Sequence, residues 1–112
     1  MDKPIDWRGS SLDDLREFPE AARKRAGYEL RKLQRGELPD NWRPFPEAGP
    51  GVNEIRIDSQ DGWFRVMYVA KFDEAIYVLH SFQKKTRKPS RNDVAIARQR
   101  YRAVVAERKV SR

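Results

Sequence analysis

The chain contains no cysteine and one histidine, His80. Without thiols there can be no disulfide, no thiolate nucleophile and no cysteine-ligated zinc, and a reducing compartment suits the composition. One histidine without cysteine leaves too few ligands for a transition-metal site. The acidic residues are scattered through the first two thirds without a convincing pair for a divalent ion, so no metal or other cofactor is expected. There is no glycine-rich phosphate loop and no nucleophile-elbow motif. Long apolar runs are missing too: no segment approaches the roughly 18 residues of a membrane span. The opening MDKPIDWRGS lacks the apolar core of a signal peptide. These absences predict a soluble cytoplasmic protein with no membrane partner.

Positive charge is what the chain does have. Lysine and arginine number 24 against 17 aspartate and glutamate, a formal net charge of +7. Residues 1–79 hold 13 basic and 15 acidic side chains, and residues 80–112 hold 11 basic side chains against Asp93 and Glu107. The whole excess therefore lies in the last third, where it suits a polyanion. Twelve aromatic residues in 112 argue against disorder and for one domain with a modest core.

Periodicity divides residues 1–112 into the parts of that single domain. Residues 10–35 predict a helical hairpin. Ser11 and Asp14 read as a capping-box-like start to a short helix carrying Leu12, Leu15 and Phe18. After Pro19, residues Ala22, Ala26, Leu30 and Leu33 form one apolar stripe. Residues 36–51 contain four prolines and three glycines and predict a loop, with Trp42 and Phe45 as its anchors. Residues 52–85 predict a β-meander with turns at Asp61-Gly62 and Asp73-Glu74. Residues 90–108 predict a basic helix opened by Ser90 and Asp93, with Val94, Ala97, Tyr101 and Val104 buried. The fold class is α+β. The helical hairpin should cover one sheet face and leave the other partly open.

Alternate residues of a strand share a face, so His80, Phe82 and Lys84 belong together. Arg56 and Arg65 come from the two preceding strands, in a register that sequence does not reveal. Convergence of these groups would suit metal-independent RNA cleavage, in which the 2′-hydroxyl attacks its own phosphate. Arginine forks hold phosphate, and preorganised cations stabilise the charge that develops. Histidine can exchange a proton near neutrality, and lysine can once burial or neighbouring cations lower its pKa. The candidate catalytic residues are Arg65, His80 and Lys84. Arg56, Lys85, Arg87, Lys88 and Arg91 are candidate phosphate-binding residues, and Tyr68 and Phe82 candidate stacking platforms. Plainer roles compete: a packed strand histidine, core aromatics, and strand-edge lysines that discourage aggregation.

The segments NEIRID, GWFRVMYV and IYVLHSFQKKTRKPSRNDVAIARQRY resemble the HigB-like, phage-related branch of the RelE/ParE toxin superfamily. LHSFQKKT is the most specific part, and Ile55 and Phe64 replace the usual Leu and Tyr. The resemblance implies a small antiparallel sheet of three or more strands, two N-terminal helices and a C-terminal helix. It implies the toxin of a type II toxin–antitoxin pair, a ribosome-dependent mRNA endoribonuclease that inhibits translation. The implied partners are mRNA, the ribosome and an antitoxin with a helix-turn-helix DNA-binding domain. Two alternatives share the fold: a ParE-like gyrase inhibitor and an inactive prophage-encoded nucleic-acid-binding module.

Overall fold

A computed structural model describes residues 2–110. Its elements run β1 (Ile5–Trp7), α1 (Ser11–Arg16), α2 (Glu20–Gln34), β2 (Trp42–Pro44), a 3-10 turn (Pro46–Ala48), β3 (Val52–Ser59), β4 (Gly62–Val69), β5 (Ile76–Lys84) and α3 (Arg91–Val110). The strands form one sheet in the order β1-β5-β4-β3-β2. β1 runs parallel to β5 and the remaining pairs are antiparallel. The three-strand meander predicted from sequence is therefore the centre of a five-strand mixed sheet. The two added strands have three residues each, too few to show a period of two. One of them, β2, lies with the 3-10 turn inside the stretch predicted as loop.

Both faces of the sheet carry apolar side chains. On one face the hairpin residues Leu15, Phe18, Ala22, Ala26, Leu30 and Leu33 pack on Ile55, Ile57, Phe64, Val66, Tyr68, Ile76 and Val78. On the other face α3 lays Ala97, Tyr101 and Val104 over Val52, Met67, Val69, Tyr77 and Leu79. The second face is thus not left open along its length. α3 covers one half, and the uncovered half carries the charged residues of β3, β4 and β5.

A bulge in β5 creates that charged half. Tyr68 pairs with Val78 and Met67 with His80, so Leu79 is an extra residue opposite β4. Ile76 and Val78 face the hairpin. Uninterrupted alternation would send His80, Phe82 and Lys84 the same way. The extra residue reverses the alternation and turns all three towards the α3 side.

α3 begins with a side-chain cap. The Ser90 hydroxyl accepts the Asp93 backbone N–H at 3.0 Å and donates to Asp93 Oδ2 at 2.8 Å. The expected box at Ser11 does not form. Ser11 is buried and donates to the Val78 carbonyl, while Ser10 donates to Asp14 Oδ2.

Candidate nucleic-acid interface

Register places one cation from each of four adjacent strands on the same half-face. Arg43 of β2 lies opposite Glu54 of β3, Arg56 of β3 opposite Arg65 of β4, and Arg65 opposite Phe82 of β5. Lys84 sits two residues beyond Phe82, opposite Trp63. Paired residues share a face, so Arg65 and the His80/Phe82/Lys84 set lie on one side of the sheet.

The row has two levels. Arg65 is 1% exposed, and its Nη1 donates to Asp58 Oδ1 at 2.9 Å and to the Phe64 carbonyl at 2.8 Å. Glu54 is fully buried, with Oε1 accepting from Arg43 Nε at 2.7 Å and Oε2 without a partner. These two groups form a foundation. Above it, Arg56 is half-buried and makes no ion pair with any described residue, and its Nε is unpartnered. Lys84 is 9% exposed, and its ammonium donates to the Arg87 carbonyl at 2.8 Å. Burial, and next the charge of Arg65, lower its pKa, with Arg43 and Arg56 acting in the same direction and Glu54 opposing. That is the condition under which a lysine can exchange a proton.

His80 is placed differently. Its Nε2–H donates to Asp93 Oδ1 at 2.7 Å, its Nδ1 is buried without a partner, and its ring stacks on Phe82 with centroids 4.8 Å apart. Burial lowers its pKa more than Asp93 raises it, so the imidazole is neutral at pH 7. His80 and Phe82 line a depression that wraps the free edge of β5 beside Asp14 and Glu17. Lys88 and Arg91 line a separate groove with Arg43. Lys85 and Arg87 are exposed in the loop between these regions.

The two stacking candidates are both packed. Tyr68 lies on the hairpin face at 1% exposure, and burial pushes its phenol up to about 12. It cannot meet a ligand on the cationic face, because its register position opposite Val78 turns it into the core. Phe82 is buried against His80. The available aromatic is Trp63, 47% exposed, with the Lys84 ammonium 5.6 Å from its ring centre. Sequence reading passed over Trp63, Arg43 and Glu54. Trp63 carried a signal nonetheless, since it shares alternation with Arg65 on β4. Arg43 carried none, because its strand is too short to be seen.

No helix among the described residues is long and apolar enough to cross a membrane. The family of phage-derived Gp49-like proteins (DUF891) matches residues 13–102. No curated protein matches the chain. Among solved structures, the free state of an E. coli RelE toxin mutant is similar, with a TM-score of 0.61 and 13% identity over 93% of this chain and 99% of that one. At that identity the likeness concerns the fold, and it includes the mixed sheet and the C-terminal helix. The chain therefore belongs to the Gp49-like, phage-derived family, on the fold of the RelE toxins.

Proposed function

We propose that this protein is the toxin of a toxin–antitoxin pair and acts as a metal-independent endoribonuclease on mRNA at the ribosome. The observation that carries this reading is the row of Arg43, Arg56, Arg65 and Lys84, one cation from each of four neighbouring strands. A neutralising antitoxin with a DNA-binding domain is the expected partner.

In this reading Arg56 and Lys84 touch the scissile phosphate, and Arg65 reinforces the field from one layer below. The 2′-hydroxyl gives up its proton to solvent water as its oxygen forms a bond to phosphorus, and the bond to the 5′-oxygen breaks. Lys84, its pKa lowered, gives its proton to the departing oxygen. Cations fixed before the reaction stabilise the charge on the phosphorane without further reorganisation. Trp63 offers the exposed ring for a neighbouring base, and Lys85, Arg87, Lys88 and Arg91 attract the flanking phosphates. His80 contributes by holding Asp93 and the start of α3, as a positioning residue.

The test is induction in cells without the antitoxin, with mRNA ends mapped by primer extension. New ends and growth arrest are expected. Arg56→Ala and Lys84→Met should each abolish both while the protein still accumulates. Growth arrest without new ends, undiminished by either substitution, would refute the nuclease. Inhibition of DNA supercoiling by purified protein would then assign the fold to gyrase.

A further inference from the structure

A groove of about 650 Å³ runs between the β2 and 3-10 turn segment and the beginning of α3. Small-ligand sites span roughly 300–1,000 Å³. Its wall is fixed: Arg98 of α3 donates from Nε and Nη2 to the Glu47 carbonyl, at 3.1 and 2.7 Å. Apolar surface comes from Pro44, Pro89 and Val94, and positive charge from Lys88 and Arg91. Arg43 lines the groove as well and reaches Glu54 at the foundation of the cationic row. Arg43 is thus common to the groove and to the cationic row of the proposed cleavage site.

One lining group runs against the charge. The Glu47 side chain is exposed and makes no ion pair with any described residue, although four cations line the same groove. A carboxylate here opposes binding of a phosphate backbone. It becomes favourable when it accepts hydrogen bonds from a base edge. Guanine alone presents two adjacent donors, N1–H and N2–H, on its Watson–Crick edge, matched to the two oxygens of a carboxylate. Cytosine and adenine offer one amino group beside an acceptor, and uracil one N–H between two carbonyls.

We propose that this groove is a nucleotide subsite that selects guanine. The base lies on Pro44, Pro89 and Val94, its Watson–Crick edge meets Glu47, and the adjoining phosphates meet Lys88 and Arg91. The assignment rests on the RNA-cleaving reading and adds a specificity determinant to it.

The experiment uses fluorescein-labelled 2′-O-methyl RNA pentamers, which lack the attacking hydroxyl, and the full wild-type chain. Fluorescence anisotropy compares UUGUU with UUAUU, UUCUU and UUUUU. UUGUU should bind about tenfold tighter than UUUUU, within the range of one good bidentate base contact. Glu47→Gln should bring the four within about threefold of one another, while UUUUU binds as well as before or better because a negative charge is gone. Equal affinities in the wild type, or a guanine preference that survives Glu47→Gln, would overturn the subsite and leave the nuclease reading standing. Absence of binding to any pentamer, at low salt, would overturn both.

Discussion

Two titratable residues on β5, His80 and Lys84, lie four positions apart on the same face and both have lowered pKa values. Their roles separate by environment. Burial and the charges of Arg65, Arg43 and Arg56 all disfavour the Lys84 ammonium, so removing it relieves that cost. Lys84→Met keeps the aliphatic stem and should leave Tm unchanged or raise it while abolishing cleavage. Thermal unfolding alongside an RNA-cleavage assay checks both halves, and a large fall in Tm would mark Lys84 as structural. For His80 the folded-state pKa lies below the ordinary value near 6.5. The unfolded chain then binds more protons between the two values, so the stability it lends is complete above about pH 6.5 and lost as pH falls through the lower value. Tm should decline as pH falls below about 6.5, and His80→Gln should flatten that decline. An identical slope in the variant would locate the titration elsewhere.

At the scale of elements, α3 is held by polar ties as much as by its apolar stripe. Arg100 donates to the Leu79 carbonyl, Tyr101 to the Pro50 carbonyl and Arg108 to Glu74. Arg108 holds the Glu74 carboxyl down to about 2. Gly49 permits the close approach of the 3-10 segment. Its φ is +147°, and a Cβ there would stand 2.5 Å from the Tyr101 ring. The Ser90 cap orients the first turn, which carries Asp93, the partner of His80. Ser90→Ala should therefore cost about 1 kcal/mol, measured by urea denaturation, and should release the Asp93–His80 contact, which raises the imidazole pKa, seen as a further fall in the histidine pKa by NMR. An unchanged midpoint would show the cap to be incidental.

The legibility of these elements follows their length and regularity. Hairpin, meander and final helix were readable because apolar residues recur over two or more periods. The strands Ile5–Trp7 and Trp42–Pro44 were not, because three residues bounded by proline or turn signals show no period. The faces of β5 were readable only in part. Alternation groups His80 with Lys84, but the bulge at Leu79, which decides which side they face, leaves no mark in an unbroken apolar run. For the site, the cations announced themselves by residue type. Whether each is exposed or buried depends on β2 and α3, which lie on either side of the β3–β5 meander in the sequence, and so lay beyond local pattern.

At the scale of the whole molecule, charge and topology act together. The positive surface lies along one face, from the cationic row to the groove, and the acidic depression lies round the β5 edge. Binding of single-stranded RNA should weaken steeply with salt, because each neutralised phosphate releases counterions. Log K against log salt should lose about 0.7 from its slope when Arg91 becomes Ala. A slope that is flat in the wild type, or unchanged in the variant, would exclude Arg91 as a phosphate contact.

The parallel pairing of β1 with β5 joins residues about seventy positions apart. As the chain is synthesised, β1 has no partner until the roughly seventy residues that lead to β5 have followed it. The cationic row needs β2 to β5 in register, so it too is assembled late. A nascent chain that stops before Ile76 carries Arg43, Arg56 and Arg65 but not Lys84, on strands with no closed sheet between them. Such fragments should lack the complete cationic row, which exists only once Lys84 has been added.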